Sequence, residues 1–343
     1  MKAFQRVLAI ETSCDDTSVA IVEKSGRVLF CESASQDEAH EAFGGIVPEI
    51  AGRNHTENLL PIVEKSFMSS NLEWKDIDGV AVTCRPGLVG SLLVGVVTAK
   101  SLALAKDLPF IGVNHLEGHL LAPFLRDDSY SPPANFDYPY LALAVSGGHT
   151  SLYKVFGLGN YETLGRTIDD AAGEAFDKFA KMVGLGFPGG IHVDRLSQEG
   201  NRKAFDFPRA LMQNDNLNFS FSGLKTSALR QVQSMKEKEV FDQLPDLCAS
   251  YQEAVVEALI SKLALAVEKT GIRKVVITGG VSANTRLREV GLDGARKNNW
   301  DIVIPPLRYC TDNAAMIGYA GIQRLNRGER SEDSLGVSPE VEV

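Results

Sequence analysis

Residues 112–125 read GVNHLEGHLLAPFL and set His115 and His119 four apart. On a helix that spacing stacks the two imidazoles on one face, where they could share a metal ion. A zinc protease would need H-E-x-x-H, with the glutamate next to the first histidine as the base for zinc-bound water. Here the order is H-L-E-G-H, so Glu117 falls about 200° around a helix from His115 and points away from any ion. Gly118 also weakens such a helix. The protease reading fails on geometry, and a metal site of another kind remains open beside a purely hydrogen-bonded pair. Two imidazoles commonly take a carboxylate as third ligand, and CTDNAAM supplies Asp312 just past an apolar strand, where it could equally cap a helix. Two histidines and a carboxylate with open positions suit iron(II) among other ions.

Two further stretches could handle an anion. AVSGGHT (144–150) and TGGVSAN (278–284) each put Gly-Gly directly after an apolar strand, with FPGG at 187–190 between them. Glycine there lets backbone N–H groups approach a phosphate, although a tight turn alone would explain one such pair. No G-x-x-x-x-G-K-[ST] run occurs, which excludes a P-loop ATPase. The turn ETSCDDTS gathers Glu11, Asp15 and Asp16 near hydroxyls, where acids would repel phosphate or else position a metal or an attacking group. No serine or cysteine triad is evident.

The elements that must hold these residues alternate between strand and helix. Residues 6–30 read as short strands around polar turns, 41–67 as a change of period in which Ile50 to Phe67 suit a helix interrupted near Pro61, 77–84 as a buried strand, 86–106 as a helix begun by Pro86, and 109–115 as a strand entering the histidine helix. Residues 126–139 are polar and proline-rich and form the best linker. After them YLALAVSGGHTSLYKVFG repeats the strand, turn, strand layout of residues 6–22, so the second half opens as the first does. In 169–186, Ala172, Phe176, Phe179 and Val183 make a buried stripe with Asp170, Glu174 and Asp177 off it. A long helix ends at Gly271, and Ser282 or Asn284 caps the next. The chain therefore reads as an α/β protein of two lobes. With 343 residues, 44% of them hydrophobic and 23% charged, this is ordinary globular composition. The net charge of -9 does not advertise nucleic-acid binding, and five scattered cysteines without a C-x-x-C argue for a reducing compartment. The N-terminal run is too polar for a signal peptide, and the apolar run at 88–105 reads as a packing helix rather than a membrane span.

IETSCDDTSVAIV, NHLEGHLLAP, VSGGHT, IDDAAGEAFDK, FSFSGLKT, GGVSAN and CTDNAAM, in this order from about residue 6 to 325, resemble the tRNA N6-adenosine threonylcarbamoyltransferase family, TsaD in bacteria. The family was once labelled O-sialoglycoprotein endopeptidase, the error that HLEGH invites. The resemblance implies a two-lobed actin-like ATPase (ASKHA) fold of duplicated RNase H-like domains, with the ligand in the cleft. Lobes are expected at 1–125 and 126–325, with the last helix free to pack back on the first lobe, and a tail at 326–343. It implies Fe2+ held by His115, His119 and Asp312, with Zn or Mg as substitutes. Threonylcarbamoyl-AMP would lie against Ala144, Val145, Ser146, Gly147 and Gly148, its ribose side against Asp177, Gly190 and Asp194, with Asn284 nearby. Glu11 and Asp15 are the candidate catalytic acids. The acceptor would be N6 of adenosine 37 in tRNAs reading codons that begin with A. Expected partners are tRNA, a shorter paralogous subunit of the same fold (TsaB-like) and a small P-loop ATPase (TsaE-like), in the cytoplasm and without a membrane. Arg53, Arg195, Arg202, Lys203, Arg209, Lys225 and Arg230 are candidate tRNA contacts. The competing readings are a small-molecule kinase or carbamoyltransferase of the same fold, and a non-enzymatic scaffold, which would lack the metal residues.

Overall fold

A computed structural model describes residues 3–211 and 215–340. The chain forms two units, one holding the chain up to Asn135 and again from Pro305, the other Phe136–Ile304. The first contains strands β1 (Arg6–Glu11), β2 (Thr17–Glu23), β3 (Val28–Ala34), β4 (Gly79–Arg85) and β5 (Phe110–Asn114). Its helices are α1 (Asp37–Glu41), α2 (Pro48–Ser70), α3 (Val89–Lys106) and α4 (His115–Leu121). The second contains β6 (Tyr140–Val145), β7 (Thr150–Gly157), β8 (Asn160–Arg166), β9 (Lys274–Thr278) and β10 (Asp301–Val303). Its helices are α5 (Ala172–Met182), α6 (Gly189–Ser197), α7 (Ser222–Gln233), α8 (Glu237–Asp242), α9 (Leu244–Thr270) and α10 (Thr285–Asn298). The chain then returns to the first unit with α11 (Leu307–Cys310) and α12 (Ala314–Asn326).

The two sheets share one topology. Their orders are β3-β2-β1-β4-β5 and, read from the other edge, β8-β7-β6-β9-β10. In each, the first two strands pair antiparallel across a polar turn, ending at Glu11↔Ser18 in one and Val145↔Thr150 in the other. In each, the first strand then pairs parallel with the fourth, β1 with β4 and β6 with β9.

Strand alternation divides the first sheet into two faces. Leu8, Ile10, Val19, Ile21, Val80 and Val82 pack with Leu59, Ile62 and Val63 of α2 and with Val96, Ala99 and Ala103 of α3. The opposite face carries Ala9, Ala81 and Val22, and there α12 lies close because Gly318 and Gly321 offer no side chain: a Cβ at Gly318 would stand 2.7 Å from Val22 Cγ2. This return of the last helix is why the units do not follow a division into 1–125 and 126–325. The polar stretch from residue 126 leads to the boundary at Asn135 but stays tied to the first unit, where Asp127 accepts hydrogen bonds from Tyr309 Oη (2.5 Å) and Arg308 Nε (2.9 Å). The last three residues of the 326–343 tail lie outside the described residues.

Two expectations built on proline need correcting. α2 runs unbroken through Pro61, and α3 begins at Val89 rather than at Pro86. Pro61 and Glu57 are both exposed, so the carbonyl that the proline leaves unbonded meets solvent. Length and composition alone would let α3 cross a membrane. It packs Leu92, Val96, Ala99 and Ala103 into the core, yet exposes Val89, Leu93, Val97 and Leu104, so only one side is buried.

In the second unit α9 is the central helix, with fifteen buried residues. Its Tyr251 stacks on Phe179 of α5 at 4.0 Å between ring centroids and donates its hydroxyl to the Ala175 carbonyl. Gly271 ends it at φ 70, a conformation that glycine adopts without strain.

Candidate active site

Two asparagine caps set the residues of the first unit in place. Asn114 ends β5 and its side chain accepts from Leu116 N at 2.8 Å, which starts α4 at His115. Asn313 follows Asp312, and its side chain accepts from Met316 N at 3.0 Å, which starts α12. Both therefore stop and start a backbone beside a candidate ligand. His115 Nε2 lies 3.3 Å and His119 Nε2 3.1 Å from Asp312 Oδ1, with the imidazoles at 88° to each other. Ligands at about 2.1 Å from a common ion stand roughly 3 to 3.5 Å apart. Among the described residues these three form the one group able to hold an ion, with donor atoms within 4.8 Å of one another. The histidine side chains are 8% and 2% exposed and the aspartate 26%, so the group opens on the aspartate side.

The electrostatics favour positive charge between the carboxylates. Burial pushes His115 down, but Asp312 and Glu11 on either side override it and raise it well above the usual histidine range. Burial likewise pushes Asp312 up, yet His115 and then His119 hold it well below the usual carboxylate range. His119 is lowered by burial, which its bond to Asp312 only partly offsets. A proton on His115 thus stands where an ion's charge would, and an ion must displace it. Nitrogen, nitrogen and carboxylate oxygen with one open side is a donor set that fits such an ion.

Glu11 is placed differently from a catalytic acid. It is 1% exposed, and its oxygens accept from Ser13 N and Thr83 Oγ1 and meet His115 Nδ1 at 2.9 Å. That carboxylate fixes which nitrogen of His115 faces Asp312. Asp15 and Asp16 sit half-buried on the turn after β1, both raised first by burial, Asp16 to about 8.

In the second unit the expected substrate residues gather where β6 and β9 end. Ala144 and Val145 close β6, and Gly279, at φ 89, is so close to Val145 that a Cβ would strike its carbonyl. The carbonyls of Ser146 and Gly147 accept from Gly173 N (3.3 Å) and Glu174 N (3.2 Å) in the first turn of α5. In a trans peptide the N–H points opposite the carbonyl, so the amides of Gly147 and Gly148 face away from α5. A Cβ on either glycine would meet nothing within 4 Å. Asp177 accepts from Gly189 N at 2.8 Å and so ties α5 to the turn bearing Gly190. Asp194 binds Thr285 through both the backbone N (3.1 Å) and Oγ1 (2.7 Å). The Asn284 side chain is committed: it caps α10 through Leu287 N and donates to Gln252 at 2.6 Å, while Ser282 lies one turn earlier.

The family model for tRNA N6-adenosine threonylcarbamoyltransferase (TsaD) matches residues 27–319. The chain belongs to that family. It is 60% identical over 337 residues to a tRNA N6-adenosine threonylcarbamoyltransferase of Bdellovibrio bacteriovorus, covering 98% of both chains. To one of Anaeromyxobacter dehalogenans it is 51% identical over 335 residues, covering 97% of this chain and 98% of the other. Among solved structures, full-length HypF matches 95% of this chain and 47% of its own with a TM-score of 0.60 at 15% identity. ROK hexokinase from Thermus thermophilus matches 94% and 100% with a TM-score of 0.51 at 14% identity. At such identities these two show the fold alone, that of actin-like ATPases (ASKHA).

For a threonylcarbamoyltransferase that must receive tRNA, several expected cations are already occupied. Arg53 pairs with Glu49, Arg202 with Glu289, Arg209 with Glu257 and Lys225 with Asp170. Arg195, Lys203 and Arg230 form no ion pair among the described residues. Sequence reading missed Thr83, Ser13 and the two asparagine caps. The caps had a signal, since each asparagine adjoins a candidate ligand at a strand-to-helix change.

Proposed function

We propose that this chain transfers the threonylcarbamoyl group of threonylcarbamoyl-AMP to N6 of adenosine 37 in tRNAs reading codons that begin with A. The N6 nitrogen attacks the carbamoyl carbon, the bond from that carbon to the phosphate oxygen breaks, AMP leaves, and the N6 proton passes to solvent. An already activated acyl group needs positioning and charge stabilisation rather than a protein nucleophile. The observation that carries the reading is the convergence of His115, His119 and Asp312 in a member of this family.

Roles follow from local geometry. The outward amides of Gly147 and Gly148 suit the phosphate or the carbonyl oxygen, and Ala144, Val145 and Ser146 shape the approach to them. On the ribose side, beside Gly190, Asp177 holds the start of α6 through Gly189, and Asp194 and Asn284 hold the start of α10. Glu11 serves as a positioning residue through His115, and Asp15 places negative charge on the same turn. Iron(II), with zinc or magnesium as substitutes, is the ion assigned to His115, His119 and Asp312. When bound it would supply Lewis-acid charge for a substrate oxygen.

The partners we assign, as the family resemblance implies, are a shorter paralogous subunit and a small P-loop ATPase, which suits a chain without a Walker run. Five free cysteines favour a cytoplasmic site. The test supplies the chain and these partners with threonine, bicarbonate, ATP and unmodified tRNA, then measures both bound metal and modified nucleoside. Wild type should carry metal and form the nucleoside; H115A/H119A should lose both. Equal product from the metal-depleted double variant would refute the assignment.

A further inference from the structure

The glutamate between the two histidines takes no part in the chemistry above, yet its side chain is only 1% exposed. A buried carboxylate needs a partner, and Glu117 has Arg324: Nε donates to Oε2 at 2.7 Å and Nη2 to Oε1 at 2.9 Å. The third guanidinium nitrogen, Nη1, is held by Glu329 at 2.5 Å. A two-bond fork fixes angle as well as distance, which a single contact cannot do.

α4 needs that constraint. It has seven residues, about two turns, and so short a helix has little stability of its own to hold its roll. Roll decides whether His115 and His119 face Asp312. Three contacts tie α4 to α12, and they follow one another along α12. The histidines meet Asp312, two residues before the helix begins. Gly118 lies against its first turn, where a Cβ would stand 2.9 Å from Ile317 Cδ1 and 3.0 Å from Met316 Cγ. Glu117 meets Arg324 in its last turn. Glu117 leaves α4 roughly opposite His115, so the fork grips the side away from the ligands.

We propose that the Glu117–Arg324 pair is a positioning device that locks the roll of α4 and thereby brings His119 and His115 into register with Asp312. The inference rests on reading those three residues as metal ligands. It also gives the glutamate of H-L-E-G-H a task other than that of a protease base.

The test titrates metal-free protein with Co(II), reading visible absorption, competition with a chelator, and the thermal midpoint. Wild type, H115A/H119A, R324K and E117L/R324M are compared. R324K keeps the charge but loses the fork, and should bind Co(II) about 10- to 100-fold more weakly, as loss of a supporting residue behind a ligand does. E117L/R324M removes the buried carboxylate together with its half-buried partner, so it should regain thermal stability without regaining affinity or the wild-type spectrum. If R324K and E117L/R324M both match wild type in affinity and spectrum, the pair is structural only and the proposal falls. If wild type binds no more Co(II) than H115A/H119A, the metal reading itself fails and takes the proposal with it.

Discussion

Glu11 and Asp312 flank the imidazoles, Asp15 and Asp16 follow on the turn after β1, and the four carboxyls do not titrate alike. Glu11 would be raised by burial, but His115 holds it below the usual range, as it does Asp312. Asp16 has no such partner: burial first, then Asp312 and Asp15, push it up to about 8. Between its unfolded value near 4 and about 8, the folded protein holds a proton that the unfolded chain has released. Its contribution to stability is therefore present below pH 4 and declines as pH rises through about 8. For metal-free protein the thermal midpoint of Asp16→Asn should gain on wild type steadily from pH 5 to 8; parallel profiles would remove this account of the turn. The histidine pair was legible in residue types and spacing, and Asp312 only as a carboxylate just past an apolar strand. The roles of Glu11 and Glu117 were not, because their partners lie 104 and 207 residues away. Only the folded chain decides which acid meets which base.

At the scale of elements, α12 is held to its sheet by absent side chains. A Cβ at Gly321 would strike that of Ala81, so Gly321→Ala forces helix and strand apart at about 1–3 kcal/mol. The gain of about 1 kcal/mol from a better helix former does not offset this. Gly90 in α3 is the counter-case: it is exposed with nothing within 4 Å, so Gly90→Ala should stabilise by about 0.5–1 kcal/mol. Opposite shifts in the denaturant midpoint are expected; shifts of one sign would contradict the packing described. Strands and helices were readable because hydrophobic period is local. The misreadings came at prolines: at Pro61 exposure decides whether the helix tolerates one, and exposure is not local, while Pro86 precedes α3 rather than starting it.

Across the whole molecule, one five-strand plan occurs twice, and the C-terminal segment returns to the first unit. Past α12 the chain runs beside β5: Ser331 N donates to the Phe110 carbonyl, and Lys100 Nζ binds the carbonyls of Asp333 and Leu335 at 2.7 Å each. Leu335 and Val337 pack against the core of that unit. The repeated strand, turn, strand layout announced the duplication. The family resemblance allowed for the last helix to fold back, but the point of return at Pro305 did not show, since no composition shift marks where a chain crosses back. This return is also what brings Asp312 to the histidines, so the measurement that bears most directly on the whole account compares wild type with Asp312→Asn. Preformed threonylcarbamoyl-AMP and unmodified tRNA would be supplied without ATP, and AMP and modified nucleoside counted in one turnover with metal present. The account predicts the two products one for one in wild type and a rate lower by about 100-fold or more in the variant, the loss expected when several kcal/mol of charge stabilisation goes. A variant that matches wild type, or AMP released without modified nucleoside, would contradict it.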